Sequence, residues 1–332
     1  MLFWTRTIEQ TKYVIFIIVV AGVIIRLVSI PLFAPINPVD VYYVDNQSAK
    51  LILDLKSPYL QEPIIDGYGY MFVYLPMVAI YYVPFYLLGD IRFGNIVADV
   101  IIMFSVYLIA KSLNRGAAFF APLTYAVFPL SILLTSINGT NIMIGTSFLT
   151  FSIALLMKKK YLISAIFLGL AMATNQMVVF ALPLLIYILW KEHKFSNFLY
   201  SVLLSAGIVL PFFITSPQDF IYNVFLFQFE RSFQGNGTLS LYGLVNETVG
   251  LSLATWLRVA IFVAGVIIAM VWLRRKLTLF IPLLGGLLLF GAFILPVNGF
   301  LNYFLPGAAV VCALIPYAID KIASYLEKSS SQ

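Results

Sequence analysis

Five of the chain's fourteen carboxylates fall between Asp40 and Asp66: Asp40, Asp45, Asp54, Glu62 and Asp66. They follow directly on a long apolar segment. A carboxylate held where water meets lipid can take a proton from a hydroxyl whose owner is anchored in the bilayer, so Asp40 is a candidate general base. The plainer reading is that the five acids keep a loop in water. One histidine, His193, and one cysteine, Cys312, exclude a disulfide within the chain and leave too few ligands for a zinc or haem site made of those residues. Any chemistry rests on carboxylates, arginines, lysines, amides and tyrosines.

The segments that must position these groups are greasy. Of 332 residues, 62% are hydrophobic and 10% charged, more than a water-soluble domain needs to fill a core. Apolar runs at about 13–33, 91–110, 116–137, 141–157, 161–174, 176–190, 197–215, 256–273, 277–296 and 300–318 lack strand alternation. They predict an all-α integral membrane protein of about ten transmembrane helices. The first run exceeds a typical signal-peptide core and has no clear small-residue cleavage site, so it is expected to be retained as an anchor. An eleventh run, 70–89, holds Pro76, Pro84 and five tyrosines and is expected to be re-entrant or interfacial.

Charge bias orients the set. With 70–89 not spanning, fourteen of the twenty basic residues face the cytoplasm, as do both termini, and nine acids face outward. The Lys and Arg residues form short clusters between apolar runs, which report topology and not a nucleic-acid partner. Four Asn-x-Ser/Thr sequons, at Asn46, Asn138, Asn236 and Asn246, also fall outside. The chain reads as one polytopic domain, 1–332, with two sizeable outward segments, 34–90 and 216–255. In the first, Asn46–Leu55 spaces Ala49, Ile52 and Leu53 for a short amphipathic juxtamembrane helix, stopped by Ser57 and Pro58. Asp99 lies inside an apolar run, where a charge is costly; Arg26 is its candidate partner, or the two snorkel separately. Asn298 and Asn302, with Tyr303, flank the last outward turn, as ligand groups or as helix caps.

VDVYYVDNQSAKLILDLKSPY, residues 39–59, resembles the first outward loop of GT-C glycosyltransferases, in the branch of mannosyltransferases that use a polyprenyl phosphate mannose donor. That loop carries an Asp, an aromatic turn, an amphipathic helix and a closing Pro-Tyr. Asp40 takes the Asp position, Tyr43 falls in the turn, and Pro58 with Tyr59 form the closing pair. FVYLP (72–76), residues 138–190 and NVFLFQFERSFQGNGTLSLYGL (223–244) are similar to later segments of the family, the last to the loop that helps enclose the donor. Two departures stand out. The chain is similar also to the catalytic subunit of the glycosylphosphatidylinositol first mannosyltransferase, which carries Asp-x-Asp, whereas here Tyr42 stands two positions after Asp40; this argues against a bound divalent metal, and no cofactor is expected. Where the family often has a lysine in its middle hairpin, this chain has Asn175 and Gln176.

The resemblance implies a hexose, mannose by that branch, moved with inversion from a polyprenyl or dolichyl phosphate to a lipid, glycan or protein acceptor on the outward or lumenal face. A sugar on phosphate has a good leaving group, so one base and a cation for the phosphate suffice, whereas glycoside hydrolysis usually needs a second carboxyl. Asp40 is the base. Arg231 is the first choice for phosphate, with Lys56, Arg92 and Arg258 behind it. Tyr43, Tyr59, Gln176 and Asn302 are candidate substrate contacts; Asp45 and Asp99 are cavity or structural charges. The membrane is a prokaryotic plasma membrane or the endoplasmic reticulum, with membrane lipids and an accessory membrane subunit as further partners. Two other readings stay open: a transporter or flippase of lipid-linked sugar, and a non-catalytic membrane subunit.

Overall fold

The computed structural model describes residues 8–33, 39–59, 71–113, 118–227, 233, 235 and 238–330. Glu62, Asp66 and Arg231 lie outside them. Hydrocarbon offers a backbone amide no partner, so apolar runs close their hydrogen bonds within helices, and every regular element among the described residues is helical. In chain order these are α1 (Ile8–Leu32), α2 (Asp40–Leu53), α3 (Met77–Leu87), α4 (Arg92–Leu113), α5 (Phe120–Ala126), α6 (Pro129–Ile132), α7 (Ile142–Met157), α8 (Tyr161–Met172), α9 (Leu182–Lys191), α10 (Phe195–Thr215), α11 (Pro217–Ile221), α12 (Leu241–Val249), α13 (Thr255–Arg275), α14 (Phe280–Ile294) and α15 (Leu305–Ser330).

Among the described residues six helices are long and apolar enough to cross a bilayer, or seven if α5 and the Pro129–Ile137 segment, bent by 55° at their break, form one span. The count of about ten is therefore not reached by length. The apolar runs 141–157, 161–174 and 176–190 fold into helices of 16, 12 and 10 residues, each shorter than the ~20 residues that span hydrocarbon. The run at 70–89 yields only the 11-residue α3, about 17 Å long. The chain is nonetheless a multi-pass integral membrane protein, because its long helices expose apolar surface that water would not tolerate.

Burial shows which helices hold the bundle. Within α4 61% of the span is buried, against 6% in α10, so α4 is central and α10 faces outward toward lipid. α4 packs on α7, α7 on α8 and α8 on α10, while α15 closes on α4, α5, α7 and α14. The basic turns gather at one end: Lys194 lies over the Tyr161 ring, and the Tyr161 hydroxyl donates to Glu192 at 3.0 Å.

The juxtamembrane helix starts six residues earlier than its apolar spacing suggested. Asp40 opens it, its carboxylate accepting the Val41 N–H at 2.9 Å beside the positive end of the helix. Its inward face is Val44, Asp45, Ser48 and Ala49, turned onto α3 and not simply onto lipid. Leu53, expected on the greasy face, is 39% exposed. The helix ends where Leu55 takes φ 55° and the Lys56 N–H returns to the Leu51 carbonyl at 2.8 Å.

Candidate functional site

At the end of the bundle opposite the basic turns, a cavity of about 950 Å³ opens between α2, the 71–74 segment and the turns that precede α7, α9, α13 and α15. Asp40 and Arg258 are the charged side chains that the described residues contribute to its wall. Six amides line the rest: Asn138, Asn141, Asn175, Gln176, Asn298 and Asn302. Apolar side chains such as Val44, Met177, Phe180 and Leu301 complete it.

Local sequence explains each placement. Asp40 is partly buried at the head of α2. A clasp holds that helix down: Asp90 pairs with Arg92 at 2.6 Å, the Arg92 guanidinium lies 5.3 Å from the Tyr42 ring, and the Tyr42 hydroxyl approaches Asp90 at 3.4 Å. Gly139, at φ 64°, lets the turn before α7 pass close to Tyr42, since a Cβ there would stand 2.9 Å from its ring. Asn175 caps the 3-10 turn Gln176–Phe180 by accepting the Met177 N–H at 2.8 Å, and it packs where Gly145 of α7 leaves room.

Arg258 is 3% exposed, one turn into α13. Its guanidinium donates to the Leu295 carbonyl and to the Thr255 hydroxyl at 3.1 Å, and lies 5.4 Å from the Tyr242 ring. Tyr242 is held there because Ser240 caps α12 and donates to the Val297 carbonyl at 2.8 Å. Among the described residues no carboxylate pairs with Arg258, and its Nε has no hydrogen-bond partner. Burying a cation without a counter-charge is costly. At a cavity wall the arrangement suits an anionic ligand.

The structure thus brings Asp40, Arg258, Gln176 and Asn302 together, with Asn298 and Tyr303. It sets other candidates apart. Tyr59 is 2% exposed, its hydroxyl donating to the Tyr74 carbonyl at 2.7 Å within a cluster of Phe72, Phe212 and Phe220. Tyr43 is 40% exposed and meets Tyr42 edge-on, while Lys56 is exposed beyond the far end of α2. Arg92 is committed to Asp90. Asp45 is fully buried behind the cavity wall, its Oδ1 accepting from the Asn141 amide at 3.1 Å. Burial pushes its carboxyl well above the usual carboxylate range, against the Asn141 hydrogen bond and with the Asp40 charge adding to the rise.

Asp99 lies deep in the bundle, paired with Arg26 at 2.7 Å with both side chains fully buried. Tyr125 donates to Asp99 at 2.9 Å and Thr135 at 3.5 Å; Arg26 donates to Ser131 at 2.7 Å and to the Ala126 carbonyl. Sequence reasoning did not single out Asn138, Asn141 or Thr255. The signal was the polar turn Asn138-Gly139-Thr140-Asn141 between two apolar runs, noticed only as a sequon and a small turn.

Residues 74–218 match the family model of dolichyl-phosphate-mannose-protein mannosyltransferases. No curated protein matches the chain. Among solved structures, ArnT from Cupriavidus metallidurans is similar in its apo state (TM-score 0.65, 15% identity) and bound to undecaprenyl phosphate (TM-score 0.64, 14% identity). The matches cover 94% and 92% of this chain but 60% of each ArnT chain, so the protein spans about 60% of their length. At such identity what is shared is the fold.

Proposed function

We propose that the chain is a membrane glycosyltransferase that moves a hexose from a polyprenyl or dolichyl phosphate donor to an acceptor hydroxyl at the outward end of the bundle. The observation that carries this reading is one cavity, in an ArnT-like fold, walled by a carboxylate on one side and, on another, by a buried guanidinium that no carboxylate among the described residues pairs with. Asp40 takes the proton from the acceptor hydroxyl. The freed oxygen attacks the anomeric carbon, and the bond from that carbon to the phosphate oxygen breaks. The lipid phosphate leaves with the electron pair, and Arg258 offers it charge-assisted hydrogen bonds. Attack opposite the leaving group inverts the centre. Mannose as the sugar is supported by the description of the matching family, and a lipid phosphate by the ligand of the ArnT structure. The basic turns support cytoplasmic termini and the cavity facing the other side.

A pathway for transport would need open charges at mid-membrane, but Arg26 and Asp99 are spent on each other and on their neighbours. Asp40→Asn tests the enzyme reading in native membranes, where any accessory subunit is present. Transfer of labelled mannose from undecaprenyl phosphate mannose is expected to fall by roughly 10²- to 10⁴-fold with donor binding kept. Unchanged transfer would overturn it.

A further inference from the structure

The cavity's amides are not free to turn, and the direction in which they are held carries information. Asn141 commits one Nδ2 hydrogen to Asp45 at 3.1 Å, which fixes the direction of the amide and leaves Oδ1 as its acceptor beside the second Nδ2 hydrogen. Gln176 commits its Nε2 to the Val73 carbonyl at 3.2 Å and keeps Oε1. Two residues of one cavity wall therefore keep an acceptor oxygen uncommitted, and a buried acceptor without a donor costs free energy. A ligand that presents several O–H groups satisfies them; a phosphate, itself an acceptor, does not.

Gln176 is held by a backbone carbonyl, whereas Asn141 is held by a side chain. Asp45 is fully buried, among the described residues no cation pairs with it, and its Oδ2 has no partner. Ser48 donates to its backbone carbonyl at 2.8 Å and leaves the carboxyl alone. Keeping such a group at the contact between α2 and the head of α7 is expensive for stability. Its one polar contact in this position is the Asn141 amide.

We propose that Asp45, which does not line the cavity, is a positioning residue that fixes Asn141 as a hydroxyl-accepting contact for the donor's sugar, alongside Gln176. This rests on the transferase reading, in which the sugar lies between the phosphate at Arg258 and the base at Asp40. Removing the acceptor on Asp45 lets the Asn141 amide rotate, and the sugar's O–H groups then meet its N–H groups in place of Oδ1.

The test uses two lipids, undecaprenyl phosphate mannose and sugar-free undecaprenyl phosphate, with the full chain in nanodiscs. Asp45→Leu and Asn141→Leu are each expected to weaken binding of the sugar-bearing lipid about tenfold, the scale of one lost hydrogen bond. Sugar-free lipid should bind within about twofold of wild type, the double variant should lose no more than either single one, and Asp45→Asn, which keeps an acceptor oxygen, should rescue. Should Asp45→Leu fail to fold, Asn141→Leu makes the same comparison. Equal weakening of both lipids, or none for either, overturns the proposal and leaves the transferase reading standing. If wild-type protein binds neither lipid, both fall.

Discussion

Arg26 and Arg258 are both buried, at 0% and 3% exposure, and they are buried in different company. Arg26 has a carboxylate at 2.7 Å, a serine hydroxyl and a main-chain carbonyl, and its partner Asp99 has a tyrosine and a threonine of its own. Arg258 has a carbonyl, a threonine hydroxyl and an aromatic face, but among the described residues no acid. One guanidinium is closed on its surroundings; the other is half-finished and stands at a cavity. A charge in a membrane protein does not by itself mark a working site. The useful distinction is whether the protein has already supplied the counter-charge.

The largest expected effect lies in the closed region. Asp99→Ala strands the Arg26 guanidinium without access to water, and breaking a buried pair in this way costs roughly 3–5 kcal/mol. The fraction of folded protein surviving a thermal challenge in detergent should fall accordingly. Replacing both partners, Arg26→Met with Asp99→Leu, should recover most of that loss and keep transfer. A single variant as stable as wild type would break the contrast from this side.

Arg258→Met should do the reverse. It removes an uncompensated buried cation, so thermal stability should hold or rise. Affinity for undecaprenyl phosphate should drop by about 1.5–3 kcal/mol, or roughly ten- to hundredfold, as expected when a hydrogen bond to a charged group is lost. A stability loss like that of Asp99→Ala, with lipid affinity intact, would make Arg258 a second structural charge.

How far this contrast could be read from sequence differs by region. The Arg26–Asp99 pairing was open to inference, because an acid inside an apolar run needs a partner and few are available. Asp40 and the amides near 175 and 302 stood out because each sits in a polar turn between apolar runs. The surroundings of Arg258 did not follow from the sequence: it looks like the first turn of a span, and only the fold brings Tyr242 under it and the cavity beside it. Tyr59 shows the opposite error, since a tyrosine in an outward loop looks available until the aromatic cluster closes over it. The Asp45 contact with Asn141 joins residues 96 apart, and no local pattern encodes it. Helix number is hard to read for a related reason: apolar runs do not reveal where a helix bends or how short it stays.

Asp45 gives the smallest and most diagnostic effect, because like Arg258 it has no ion-pair partner among the described residues yet lies just off the cavity. The groups facing it are Asp40 on its own helix, Tyr82 on α3 and the Asn141 amide at the head of α7. Burial and the Asp40 charge both disfavour ionisation, so its carboxyl in the folded protein titrates well above the usual carboxylate range. The folded state then holds a proton that the unfolded chain has already released, and the residue lowers stability increasingly as pH rises from about 4 toward its folded value. Below about 4 both states are protonated and the penalty vanishes. Asp45→Asn carries no such proton, so its stability relative to wild type should climb from pH 4 to pH 7, by a few degrees in apparent Tm. A difference that is flat with pH would mean that Asp45 has a counter-charge. It would then belong with Asp99 on the closed side of the molecule, and Asn141 would be held by an ion pair's geometry instead of by a lone carboxyl.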